Sequence, residues 1–532
     1  MLKIASIVLL AFVWTQPAST LAQSDSDERK PGFGYGIRLG EVRTYTGVDN
    51  HREDLGAAGL PLLRVSWSDY PDGIGEELRE GANPRAVSNL VVDQGGISIP
   101  SGSGLTDATW AWGQFIDHDL DLTDSHPDNG TADIPVLDMF DPLHPTIFFN
   151  RANHLVIDGV REQFNEVTSF LDASQVYGSD DFRAGYLRTM SRGLMKTSPG
   201  DLLPLNVDGL PNLGDDPELF LGGDIRVNEN VVLTSMHTLF VREHNRLARR
   251  IAGLAPRATD EEIYQLARKI VNAEIQIITY REFLPALLGP KAPRDWSWRY
   301  RPRVDPTIAN EFSGSLFRVG HTLLSSDLVI GETGKTIALK DAFTNPDFIK
   351  DDPQRIGHML LGLSRQRCQE IDSMIVEDVR TFLFLPPPFP LGLDLAALNM
   401  QRGRDHGLPT YNEVRQAYGL WPVTDFDGIT SDLDTQAALR AAYGTVDEID
   451  PWVGGICEDH VPDGNVGQLI FVALHDQFTR SRDGDRFFYS RDRDLWQPLV
   501  RRVINLNRVT FSQVIRRNTG MNAPRDMFFF RK

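Results

Sequence analysis

Cysteine is nearly absent: Cys368 and Cys457 are the only two in 532 residues. That excludes a disulfide-dense scaffold, so the fold must rest on its own core, a ligand or a metal. No CxxC or CxxCH string occurs, which excludes cysteine zinc sites and c-type haem attachment. Spacing alone leaves open whether the two cysteines pair. Positive charge is also scarce. Lys and Arg number 54 against 73 Asp and Glu, a net charge of −19, which argues against nucleic acid or an anionic membrane as partner. Long hydrophobic runs are missing too. The one apolar stretch, Ile4 to Val13, is too short to cross a bilayer. Lys3 before it and Thr20-Leu21-Ala22 after it give the form of a signal peptide over residues 1–22. The expected product is a secreted, extracellular protein, or a periplasmic one in a bacterium, with no membrane association.

What is present is helical periodicity. After a polar tail over residues 23–35, apolar residues recur at helical spacing over Val231 to Ile251, Glu261 to Phe283 and Asp352 to Phe384. Pro-rich loops fall at Leu288 to Pro306 and Leu385 to Pro390, and strand signals are few and short. The expected fold is mainly α: a single large helical domain over residues 36–532 with long loops.

Four segments carry dense polar chemistry. In Trp110 to Leu120, Gln114, Asp117 and His118 fall at i, i+3 and i+4 and share one helix face. Asp119 is turned about 100° away, toward a different neighbour. In Thr168 to Gly178, the side chains of Thr168, Asp172 and Ser174, with the Phe170 carbonyl, alternate oxygens in a manner that suits a hard cation such as Ca²⁺. A locally capped turn would use the same residues. Asp117 to Asp124 resembles an EF-hand loop only superficially, since the required Gly and Glu are missing. Arg226 and Glu229 precede the long helix, either as site residues or as an ordinary surface ion pair. His321 follows Gly320 in an apolar helical setting, as a ligand or as a satisfied core histidine. The run from Asn399 to His406 holds polar groups that need partners if buried.

Together these strings resemble the animal haem peroxidase family, within the peroxidase–cyclooxygenase superfamily. The matching strings are WGQFIDHDLDLT at 112–123, TSFLDASQVYGS at 168–179, LTSMHTLFVREHNRLA at 233–248, IITYREFLPALLGP at 277–290, FRVGHTLL at 317–324, LNMQRGRDHGLP at 398–409 and RDGDRFF at 482–488. They occur in the family's order. The resemblance implies haem b as cofactor and H₂O₂ as oxidant. It implies His118, Arg226 and Gln114 as distal catalytic residues, His321 as the iron ligand and Asn399 as the acceptor of its ring N–H. It further implies ester bonds to the haem from Asp117 and Glu229. Asp119, Thr168, Phe170, Asp172 and Ser174 correspond to calcium ligands. His237 and His244, seven apart on one helix, are expected to be structural.

Two departures narrow the expected activity. Asn230 stands where a sulfonium-forming methionine supports chloride oxidation in the family, so bromide, iodide, thiocyanate or phenolic reductants are expected instead. Arg318 stands where the cyclooxygenase branch has its radical-forming tyrosine, which disfavours the alternative of a fatty-acid dioxygenase. A non-catalytic extracellular binding protein is disfavoured by the presence of both His118 and Arg226. Defence or oxidative cross-linking is the expected setting. The sequence leaves the oligomeric state open, and Asn129-Gly-Thr131 is an acceptor for glycosylation if the host glycosylates.

Overall fold

Helices dominate the computed structural model, which describes residues 36–381 and 392–530. The expected signal peptide, the polar tail and the Leu385–Pro390 loop lie outside the described residues. The helices that build the site and its support are α1 (Ala108–Leu120), α2 (Val231–Leu254), α3 (Asp260–Ile278), α4 (Arg355–Gly362), α5 (Leu395–Asp405), α6 (Pro451–Cys457), α7 (Gln468–Asp483) and α8 (Phe511–Thr519). Strands among the described residues form three antiparallel pairs: β1 (Ile134–Pro135) with β2 (Thr146–Ile147), β3 (His154–Ile157) with β4 (Val160–Gln163), and β5 (Asp327–Ile330) with β6 (Lys335–Ala338). No helix among the described residues is long and apolar enough to cross a membrane.

Local signals set the helix ends. Asn230 caps α2 by accepting from the Leu233 N–H at 2.9 Å. Thr259 and Glu262 form a reciprocal capping box at the start of α3, which satisfies two otherwise orphaned N–H groups. α3 does not stop at Ile278 but passes through a π-turn, Thr279–Phe283, which re-aims Phe283 toward the central cavity. An aromatic cluster locks α1 onto α2: Phe115 stacks on Phe240 with centroids 5.0 Å apart, and Trp112 meets Phe240 and Phe511 edge-on. The Trp112 indole N–H donates to Thr279 at 3.1 Å, so this fully buried ring has no unpaired polar atom.

Two sequence expectations change, and the open question of the two cysteines is answered. The helix expected over Asp352 to Phe384 is only α4 plus a short turn at Asp378–Thr381, and Phe382 to Phe384 lie outside the described residues. Between them the backbone pairs sideways instead, with Cys368 N–H donating to Leu105 O at 3.0 Å and Glu370 N–H to Ile99 O at 2.7 Å. Those bonds to a distant segment replace the i→i−4 ladder. His321 sits not in an α-helix but in a 3₁₀ segment, Leu316–Leu323. Cys368 and Cys457 are separate free thiols, both buried, and burial raises the pKa of each.

Beneath α2 and α3 lies a fully buried carboxyl pair, Glu243 and Glu274. Arg246 grips Glu243 with two bonds of 2.6 and 2.7 Å, and Arg517 from α8 donates to Glu274 at 2.6 Å. Burial and the neighbouring Glu243 charge push Glu274 up to about 8, from 4.5. Between those values the folded state holds a proton that the unfolded chain has lost, so this group's contribution to stability falls as pH rises. Glu274→Gln is therefore expected to gain stability over the parent as pH climbs from 5 to 8, by roughly 3 kcal/mol across the window. Urea unfolding at a series of pH values measures it, and a pH-independent difference would contradict the account.

Candidate functional site

A cavity of about 460 Å³ opens between α1, the segment before α2 and the 3₁₀ segment that carries His321. Gln114, Asp117 and His118 of α1 line it together, as their spacing on one helix face requires. Arg226, Glu229 and Asn230 line it from the second segment, and Phe317, Arg318 and His321 from the third. Both histidines thus face one pocket, with Phe283, Leu287 and Phe343 supplying apolar wall.

His118 is 2 % exposed. Its Nδ1 lies 3.5 Å from Asp224 Oδ1 and its Nε2 3.7 Å from Glu229 Oε2. Burial, reinforced by the Arg226 charge, lowers its pKa well below the ordinary histidine value, so the ring is a neutral imidazole at neutral pH. Arg226 is no loose surface pair. It grips Asp224 through Nε and Nη2 at 2.9 and 2.8 Å, and Nη2 also donates to Asp121 O at 2.8 Å. Its Nη1 remains toward Asp117 Oδ2 at 3.7 Å. Burial alone would push the Asp224 carboxyl up, but the Arg226 charge and hydrogen bonds override it and hold Asp224 well below the usual range. Burial pushes both Asp117 and Glu229 the other way, each to about 7, despite the pull of Arg226. Gln114 bridges the set: its amide donates to Glu229 at 2.8 Å and accepts from Asn230 at 3.0 Å.

Burial, with the nearby Arg318 charge, lowers His321 to about 3. Its Nδ1 meets the Asn399 amide of α5 at 2.9 Å, with the amide nitrogen placed against the ring and the oxygen 3.4 Å from Arg318 Nη1. The two ends of a side-chain amide exchange by a half-turn, so the same contact suits an amide oxygen accepting an Nδ1–H. Arg318 is otherwise tethered to the Ser313 carbonyl at 3.0 Å. His237 and His244 do not line this cavity. His237 Nδ1 lies 3.0 Å from Gln175 O, and His244 is held between the Tyr177 hydroxyl and Gly193 O, each at 2.8 Å.

Asp119 faces away, as its position on α1 dictates, into a buried oxygen cluster. Its carboxylate accepts from Ala173 N–H at 3.0 Å and from Ser174 N–H and Oγ at 2.6 and 2.9 Å. Ala173 adopts a left-handed backbone (φ 64°, ψ 30°) at that contact, a conformation that costs about 1 kcal/mol for a residue with a Cβ. Asp172 is buried beside Asp119, and its Oδ2, like Thr168 Oγ1, is buried without a hydrogen-bond partner. The Phe170 carbonyl lies in the same turn, taking the Asp172 N–H at 2.9 Å. Burial, with mutual repulsion, raises Asp119 well above its ordinary value, and burial raises Asp172 to about 6 against the pull of Arg43. Among the described residues no group of three or more His, Cys, Asp or Glu side chains is arranged to hold a metal. This cluster offers two carboxylates plus hydroxyl and carbonyl oxygens, the donor set of a hard cation.

Gln114, Asp117, His118, Arg226, Glu229 and His321, all singled out in the sequence, line one cavity, whereas Asp224 had been given no role. An Asp two residues before an Arg and next to a Gly was the available signal. Gly223 packs so tightly that a Cβ would strike the carbonyl oxygens of Ser174 and Gln175. Asp224 N–H donates to Gln175 O at 3.1 Å, tying the Arg226 segment to the Asp119 cluster.

The sequence model of the animal haem peroxidase family matches residues 42–528. Peroxinectin A of Dictyostelium discoideum is 35 % identical over 511 residues, which cover 90 % of this chain and 94 % of the relative. Human eosinophil peroxidase is 36 % identical, covering 92 % and 76 %. Among solved structures, peroxidase A from Dictyostelium discoideum superposes with a TM-score of 0.84 at 33 % identity, covering 92 % of this chain and all of that one. A fatty acid alpha-dioxygenase from Oryza sativa, at 22 % identity and a TM-score of 0.76, shares the fold alone. The chain belongs to the animal haem peroxidase family and is a haem-dependent peroxidase.

Proposed function

We propose that the chain is a secreted enzyme, with residues 36–532 as its catalytic domain, that uses H₂O₂ to oxidise bromide, iodide, thiocyanate or small phenols. Defence or oxidative cross-linking is the setting such products suit. The observation that carries this reading is the pair of neutral imidazoles, buried His118 and half-buried His321, facing one cavity beside a fixed guanidinium.

The residues present fit a haem. His321 is neutral and keeps Nε2 for a metal while Nδ1 is held by Asn399, and such a contact orients the ligand and raises its basicity. Haem, when bound, supplies the iron at which peroxide is reduced. His118 is neutral and can take a proton from H₂O₂ and return it to the departing oxygen. Arg226 is held by Asp224 and offers a fixed positive charge where negative charge develops. Gln114 sits between Glu229 and Asn230 and can position water or halide. Asn230 is itself engaged with Gln114 and has no thioether to offer, in keeping with bromide or thiocyanate rather than chloride. Asp117 and Glu229 are the candidate ester-forming groups. Each titrates close to neutrality, so a carboxylate oxygen would be available at pH 7 to bond a haem methyl carbon, with H₂O₂ as the two-electron oxidant of that carbon and the methyl proton lost to solvent. For the Asp119 cluster, the buried oxygens of Asp172 and Thr168 that lack a partner fit Ca²⁺. A cation there would relieve the repulsion between Asp119 and Asp172.

His118→Ala is expected to retain the Soret absorption of bound haem and to react with H₂O₂ at least ~100-fold more slowly. Stopped-flow absorbance measures this, and a rate equal to the parent's would remove His118 from the mechanism. In denaturing haem extraction, Asp117→Ala and Glu229→Ala should each lose one attachment, and the double variant should release all haem. Covalent haem in the double variant would exclude both carboxyls. Chelation of Ca²⁺ should lower the melting temperature reversibly, and Asp119→Ala should melt low and ignore the chelator. A parent protein indifferent to chelation would contradict the calcium assignment.

A further inference from the structure

A continuous series of aromatic rings runs from the catalytic cavity to the protein surface. Phe317, four residues before His321, lines the cavity. From there the centroid distances are 5.9 Å to Phe478, 6.2 Å to Tyr280, 5.3 Å to Phe488 and 5.3 Å to Tyr489. Trp296 follows at 6.3 Å and Trp298 at 5.2 Å. Trp298 is 82 % exposed, while Tyr280 and Tyr489 are buried. Oxidation of tyrosine near neutral pH requires that its phenolic proton have somewhere to go. The Tyr489 hydroxyl donates to the Asp295 carboxylate at 2.5 Å, which can take that proton. The Tyr280 hydroxyl instead donates at 2.5 Å to the Phe478 carbonyl, too weak a base to do so, so Tyr280 passes the electron only transiently and retains its proton. The phenylalanines are too hard to oxidise to act as stations and serve as close-packed medium between the tyrosines and tryptophans.

The outer end of this series is chemically distinct. Trp296, Trp298 and Tyr300 line a surface cavity of about 640 Å³ with Arg299, Arg301 and Arg303. All three arginines are exposed, as is Arg294, on a chain whose net charge is −19. Arg301 is paired with Asp483 at 3.3 Å, and the exposed indole among the remaining guanidinium groups suits an anionic aromatic partner, through ring stacking and charge together.

We propose that Trp298 is a second oxidation site, wired to the cavity through Tyr280, Tyr489 and Trp296, and acting on anionic phenolic polymers too bulky to enter. The inference rests on the peroxidase activity and goes beyond the small reductants assigned to the pocket. Reduction of one H₂O₂ to two waters takes up two electrons and two protons. Each electron leaves Trp298 inward along the series while its indole N–H proton passes to solvent. The resulting neutral indolyl radical takes one hydrogen atom from a phenol, which restores Trp298 and leaves a phenoxyl radical. A proton from solvent balances the one released, so two phenols are oxidised per peroxide.

The test uses haem-loaded enzyme, with lignosulfonate as the sulfonated phenolic polymer and guaiacol as the small phenol. Trp298→Ser, at an exposed position, should lower lignosulfonate oxidation at least tenfold and leave guaiacol oxidation within twofold. Peptide mass analysis after peroxide without reductant should find oxygen added at Trp298, and Tyr489→Phe, which leaves the surface unchanged, should suppress it. Unchanged lignosulfonate oxidation in Trp298→Ser, or equal Trp298 oxygenation in Tyr489→Phe, would overturn the proposal. Guaiacol and bromide oxidation by the parent reports separately on the pocket reading.

Discussion

The bidentate pair between Arg226 and Asp224 is the interaction on which the candidate site depends. Two charges are held away from water beside His118, which is costly unless geometry and hydrogen bonds compensate. Here they do: the guanidinium makes two bonds to Asp224 and a third to the Asp121 carbonyl. The local field that results helps keep His118 neutral and Asp224 ionised, although the two groups lie only 3.5 Å apart. Gly223 makes the arrangement sterically possible by admitting the carbonyls of Ser174 and Gln175 where a side chain would stand.

Helix α1 carries two unlike environments on consecutive residues. Asp117 and His118 open on the cavity, whereas Asp119 is buried against the Ala173–Ser174 turn. The same turn contacts Asp224 through Gln175, so the oxygen cluster and the cavity share one backbone scaffold. A cation bound by Asp119 and Asp172 would therefore act on the catalytic face indirectly, by fixing the register of α1. The proposed surface oxidation site extends this architecture outward, since the π-turn that re-aims Phe283 also contains Tyr280.

Much of this was legible in the sequence because it depended on local period. The i, i+3, i+4 spacing of Gln114, Asp117 and His118 fixes a shared face whatever surrounds it, and α2 and α3 follow from apolar repeats and strong caps. The failures were all non-local. The stretch after α4 has helical periodicity, but its backbone groups find partners around Leu105 and Ile99, which no window of sequence reveals. His321 lies in a 3₁₀ segment that packs against α1, α6 and α7, neighbours the local sequence does not reveal. Asp224 looked like one acid among many until its partner and its burial were known.

Ligation of a haem iron by His321 is the central claim of the account, and cavity rescue tests it most directly. His321→Gly, loaded with haem and titrated with imidazole, should lose the parent's Soret spectrum and regain it as imidazole fills the vacated position. A His321→Gly protein that binds haem with the parent's spectrum before any imidazole is added would contradict the account.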